Sequence, residues 1–172
     1  MTTWIVDDGP LGDLATVFDA SWSWPADTLH VVETVARGAA KDKSGRRGRL
    51  LSMKDAKGVG CIIIHPVAVD TEAGKMIYGH LRKNASISDE HLGEHESIAY
   101  CAHDDRSAIF VAADKLACFL ALAELGPSRV ASPFDLWWDL KARGLITKEV
   151  FDRLSQRTAK TSGLQGIPLR FC

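Results

Sequence analysis

Ser107-Ala-Ile-Phe-Val-Ala-Ala-Asp114, followed by Lys115-Leu-Ala-Cys-Phe-Leu-Ala-Leu-Ala-Glu-Leu125 and Gly126-Pro127, carries two elements in succession. The first half is a continuous apolar run that stops on an acid, the pattern of a strand covered on both faces. The second half holds good helix formers and closes at Gly-Pro, a helix stop. A buried strand handing over to a helix at an aspartate is half of a βαβ unit.

The unit recurs. Trp4-Ile5-Val6 ends in Asp7-Asp8-Gly9-Pro10, a buried strand that stops at a turn, and a helix is expected from about Leu11 to Asp19. Leu29 to Val35 reads as a second strand or the start of a helix, with Glu33 inside it. Gly60-Cys-Ile-Ile-Ile-His-Pro66 is a third strand; helical spacing follows over 71–83 and 89–103. Arg129 to Ser132 makes a last short strand, and helices are expected over 134–143 and 147–157, broken at Gly144. This alternation predicts a three-layer α/β/α fold with a mostly parallel central sheet. In such sheets ligands bind beyond the carboxyl ends of the strands, where Asp7 and Asp114 stand.

At 172 residues, 46% hydrophobic and 25% charged, the chain suits one domain, expected over 1–160 with a C-terminal tail over 161–172. No apolar run reaches a membrane span and no secretory pattern opens the sequence, so a soluble, cytoplasmic protein without membrane contact is expected. Cys61, Cys101, Cys118 and Cys172 form no Cys-x-x-Cys pair and suit buried thiols of a reducing compartment. With a net charge of −1, any contact with a polyanion must be local. The one basic tract is a loop over about 41–57, where Lys41, Lys43, Arg46, Arg47 and Arg49 form either a solvated surface or a phosphate-contacting patch.

Carboxylates converging in one crevice repel one another and persist where a hard cation neutralises them. Asp7, Glu33, Glu96 and Asp114, with Glu94 beside Glu96, are the acids placed for this. Two divalent ions about 4 Å apart serve phosphodiester hydrolysis by activating water and clamping phosphate. His91-Leu-Gly-Glu-His95 fits the H-x-x-E-H pattern of zinc peptidases, but Gly93 disfavours the helix that the pattern needs. His65, His80 and His103 share no spacing and read as surface or hydrogen-bonded residues. No phosphate loop of the P-loop type and no dinucleotide fingerprint is present. Cys118, among Leu116, Phe119 and Leu120, suits packing better than nucleophilic chemistry. Trp22, Trp24, Trp137 and Trp138 could stack on bases, though the Trp137-Trp138 pair suits packing or self-association, hence a homodimer among the expected partners.

Ile5-Val6-Asp7-Asp8-Gly9-Pro10-Leu11 resembles the opening of a PIN domain. Leu92-Gly-Glu-His-Glu-Ser-Ile-Ala99 resembles the segment of prokaryotic toxin-type members that places a central acid on a helix, and Phe110 to Lys115 resembles the next strand with its closing aspartate. The resemblance covers roughly residues 3 to 158. It implies metal-ligand roles for Asp7, for Glu96 with Glu94 as alternate, and for Asp114, with Glu33 as a fourth acid. It further implies a magnesium- or manganese-dependent endoribonuclease acting on an RNA substrate, set as the toxin of a toxin–antitoxin pair with a small antitoxin protein as partner. The alternative is a PIN-like nucleic-acid-binding or protein-interaction module with weak or lost catalysis, motivated by Ala112 and Ala113, where relatives carry Thr and polar residues.

Overall fold

The computed structural model describes residues 2–17, 29–55, 57–82 and 91–162. Strands β1 (Trp4–Val6), β2 (Leu29–Val32), β3 (Ile62–His65), β4 (Ile109–Val111) and β5 (Val130–Ala131) form one sheet in the order β3-β2-β1-β4-β5. Every pairing is parallel. The helices are α1 (Asp8–Val17), α2 (Glu33–Ala40), α3 (Arg46–Leu51), α4 (Glu72–Met76), α5 (Leu92–His103), α6 (Lys115–Leu125), α7 (Pro133–Ala142) and α8 (Lys148–Thr161). The three-layer α/β/α expectation holds, with a sheet wholly rather than mostly parallel.

The period-2 alternation of the strands divides the core. Trp4, Val6, Ile109 and Val111 point to one face, where they meet Leu11 and Leu14 of α1, Trp137 of α7 and Leu154 of α8. Ile5 and Phe110 point to the other, against Ile98 and Cys101 of α5 and Ala117 and Ala121 of α6. Both faces are therefore covered, which explains the unbroken apolar strands. Among the described residues, no helix is long and apolar enough to cross a membrane.

Two local differences from the sequence expectation have physical reasons. The segment from Leu29 is a strand and then a helix, because Val32 is extended (φ −82°, ψ 159°) and α2 starts on Glu33. The basic tract is not wholly a loop. Asp42 accepts hydrogen bonds from the Ser44 amide and hydroxyl and from the Arg47 amide, and Gly45 takes a φ of 66°, so the chain turns directly into α3. The expected helix over 71–83 is α4 continued by a π-helical turn over Ile77–Leu81. The expected extension of α1 to Asp19, the start of the helix expected at Asp89, Trp22, Trp24, and residues 163–172 of the expected tail lie outside the described residues.

The last two helices are locked to the first. Asp13, buried in α1, accepts from the Thr158 hydroxyl at 3.0 Å and pairs with Arg157 at 2.8 Å; Thr158 in turn accepts from Trp137 Nε1 at 3.0 Å. Trp137 is thus core, while Trp138 is about half exposed and rests edge-on against Phe151, with the Lys141 ammonium over both rings. The start of α7 has a capping box, in which Ser132 accepts from the Asp135 amide and Asp135 accepts from the Ser132 amide. Ser132→Ala is expected to cost about 1 to 2 kcal/mol, the upper end because the cap is buried. A urea unfolding midpoint unchanged from wild type would show that the box contributes nothing.

Candidate functional site

Sheet order places the point where strand direction of travel reverses between β1 and β4, and Asp7 and Asp114 are the first and third residues beyond them. The Asp7 amide donates to Val111 O at 3.0 Å, so the end of β1 is tied to the end of β4 and the two acids are brought to one crevice. Gly9 permits the closeness: a Cβ there would stand 3.3 Å from the Ala113 Cβ. The crevice is a cavity of about 420 Å³, lined by Asp7, Asp8, Gly9, Thr34, Val35, Gly38, His91, Gly93, Glu94, Ala113, Asp114 and Thr161.

Each acid is held differently. Asp7 is buried, and burial together with the neighbouring Glu94, Asp8 and Asp114 carboxylates pushes its pKa up to about 7, against the opposing Asp8 amide. Asp114 is the N-cap of α6, its Oδ1 accepting from the Leu116 and Ala117 amides at 2.8 and 3.1 Å. Glu94 stands in the first turn of α5 with its pKa raised by burial; His91 Nδ1 at 3.0 Å opposes the shift and Asp114 adds to it. His91 has a φ of 61°, a conformation uncommon outside glycine, at the lip of this cavity.

Of the two glutamates on α5, Glu94 lines the crevice and Glu96 does not. Glu96 turns to α2, where it accepts from the Thr34 amide at 3.3 Å and the Thr34 hydroxyl at 2.9 Å. Val32 has no side chain with which to cap α2, and Glu96 supplies that acceptor from a different helix. Its pKa is raised by burial against the lowering effect of those bonds. Glu33, exposed at the start of α2, does not line the crevice either.

The informative sequence signal was Gly93. A Cβ at that position would stand 2.9 Å from Val35 Cγ2, so glycine lets α5 approach α2 beside Glu94, the next residue, which lines the cavity. His95 turns away toward Arg82 Nη1 at 3.4 Å, so the two histidines of H-x-x-E-H do not share the crevice. Among the described residues, no group of three or more His, Cys, Asp and Glu side chains is gathered closely enough to hold a metal ion by itself. His65 meets His30 Nδ1 at 2.7 Å and His80 meets Glu124 at 2.8 Å, both outside the crevice. Cys118 donates to Ala112 O at 3.5 Å and burial pushes its thiol up to about 12, so it is no thiolate nucleophile.

The basic tract lies next to the crevice. Arg47 Nη1 pairs with Asp8 Oδ1 at 2.6 Å, while Lys41, Lys43, Arg46 and Arg49 are exposed. Fold and site together define a parallel α/β/α domain with an acidic switch-point crevice. In comparisons with family models, curated proteins and solved structures, nothing matches the chain.

Proposed function

We propose that this chain is a metal-dependent endoribonuclease of the PIN-like class, cutting RNA phosphodiester bonds at the acidic crevice. The observation that carries the reading is the convergence of Asp7, Glu94 and Asp114, from three separate elements, on one cavity at the sheet's switch point. The raised pKa of Asp7 and Glu94 shows a site where like charges and burial leave anionic oxygens undercompensated. Asp7, Glu94 and Asp114 offer an all-oxygen donor set that would hold magnesium or manganese once the ion draws the three carboxylates closer together than they stand here. Bound there, the ion supplies charge neutralisation for the phosphate and lowers the pKa of an attacking water.

The chain's own residues do the positioning. Asp114 keeps its Oδ1 on the α6 amides, which fixes the carboxylate plane at the cavity mouth. Glu96 fixes α2, and with it Thr34, Val35 and Gly38 of the cavity wall. Arg47 and the exposed lysines and arginines of the basic tract contact the RNA backbone. The toxin half of a toxin–antitoxin pair, with a small antitoxin protein covering the crevice, belongs to this proposal through the resemblance of the 5–11, 92–99 and 110–115 segments.

A second reading has one observation behind it. The carboxylates of the described residues are not drawn together into a metal-sized group, as a PIN-like module that binds RNA without cutting it would have them. Purified protein incubated with a mixed pool of single-stranded and structured RNA, in manganese, magnesium or EDTA, separates the two. Metal-dependent cutting that disappears in Asp7→Asn is the expected result. A folded wild type that cuts with neither metal would hand the case to the binding module.

A further inference from the structure

A second cavity, of about 310 Å³, opens beside the second and third turns of α1, at Gly12, Ala15 and Thr16. Its wall carries three guanidinium groups, Arg46, Arg47 and Arg157, and one carboxylate, Asp42, whose oxygens already accept from Ser44 and the Arg47 amide. Arg157 lies within 2.8 Å of the buried Asp13 and Arg47 is paired with Asp8, so both guanidinium groups are held in place. Among the described residues, Arg46 has no ion pair.

The two cavities are neighbours by construction. Asp8 lines the acidic one and Gly12, four residues on, lines the basic one; Thr161 lines the acidic one and Arg157, four residues before it, lines the basic one. One helical turn, roughly 5.4 Å, therefore separates them along both α1 and α8. Arg47 spans the step, bonded to Asp8 at one side and lying over Gly12 at the other, where a Cβ would stand 2.9 Å from its Nη2. A stacked nucleic-acid strand advances about 3.4 Å per nucleotide and an extended one further, so the step matches one or two nucleotides.

We propose that this arginine cavity is a phosphate-binding site that grips the backbone of the RNA strand one or two nucleotides from the bond lying in the acidic crevice. It rests on the nuclease reading for the identity of the strand, but not for the binding itself. Arginine forks match phosphate oxygens bidentately; Arg47 and Arg157 each give one nitrogen to a carboxylate, Asp8 and Asp13, which orients the fork and leaves its other N–H donors for a phosphate, and Arg46 adds a charge without an ion pair. The alternation of acidic and basic cavities sets a direction: the strand enters on one fixed side of the crevice.

The test is binding of a short single-stranded RNA, labelled for fluorescence anisotropy and titrated in EDTA over a range of salt, so that no cleavage is involved. Arg46→Ala is expected to weaken binding about tenfold, the loss of one charge-assisted contact. It should also reduce the slope of log affinity against log salt by about 0.7, one single-strand phosphate. Thr16→Glu, which puts a carboxylate into the same cavity with all three arginines kept, should weaken binding at least as much. Lys148→Ala, at the far end of α8, should leave both quantities unchanged. Inorganic phosphate should compete, but far more weakly than the strand. Unchanged affinity and slope in Arg46→Ala and Thr16→Glu, an equal loss in Lys148→Ala, or phosphate competing as well as RNA would each overturn the proposal. RNA binding with these sensitivities but no cleavage in any metal would instead remove the nuclease reading and leave the phosphate site standing.

Discussion

Asp7→Asn is expected to abolish metal-dependent cleavage and, in the same protein without metal, to raise the melting temperature at about pH 8 by roughly 5–10 °C. The two effects have one cause. Burial and the surrounding carboxylates raise the Asp7 pKa from 3.8 to about 7. Below the unfolded value both states hold the proton and the group costs nothing. As pH rises, the unfolded chain ionises first, so stability is lost progressively until the folded pKa is passed, and the full cost of about 2 to 4 kcal/mol stands above it. Asparagine has the shape of the carboxyl and no charge to desolvate, so the substitution removes that cost.

Thermal unfolding of both proteins from about pH 4 to pH 8 reads the difference. The gap should be small at the acid end and widest at the alkaline end. Added manganese should raise the wild-type melting temperature most at the alkaline end, where Asp7 can ionise, and raise that of Asp7→Asn much less. A constant gap across pH, or a variant less stable than wild type throughout, would mean that the Asp7 carboxylate is satisfied within the fold and is no strained ligand. Sites that are costly to the fold and needed by the chemistry are expected where a ligand supplies the missing compensation.

The fold was legible because both faces of the sheet are covered. Ile5-Val6 and Ile109-Phe110-Val111 are unbroken apolar runs that admit one placement, and each leads to an acid that precedes a helix. The order of strands across the sheet was not legible, since β1 neighbours both β2 and β4 through contacts distant in sequence. The helical turns of the basic tract were hidden for a local reason: α3 is only six residues long and starts on the side-chain bonds of Asp42. Of the site, Asp7 and Asp114 could be read from their position at strand ends. The choice between Glu94 and Glu96 depends on the rotation of α5 about its axis, which is fixed by packing against other elements, Gly93 against Val35 of α2 among them, and not by the residues around the two acids.

Glu94→Gln is accordingly expected to lower metal-dependent RNA cleavage by about a hundredfold or more, while Glu96→Gln lowers it about tenfold at most. Both glutamates are on α5 and both have raised pKa values, so burial does not distinguish them. Their partners do. Glu94 faces Asp7 and Asp114 across the cavity and is bonded to His91 at its rim. Removing its charge removes a third of the carboxylate set that would hold a cation. Glu96 is bonded twice to Thr34, and glutamine keeps one acceptor for the hydroxyl or the amide. Its loss should therefore show as a looser α2, with faster amide exchange at Thr34 and a melting temperature lowered by a few degrees, and only through that wall as slower cutting. Manganese titration followed by calorimetry separates the two roles without reference to cleavage. Glu94→Gln should weaken the metal, and Glu96→Gln should leave it nearly as tight as wild type; the reverse pattern would place Glu96 in the crevice and require α5 to turn by nearly half a rotation about its axis when metal binds.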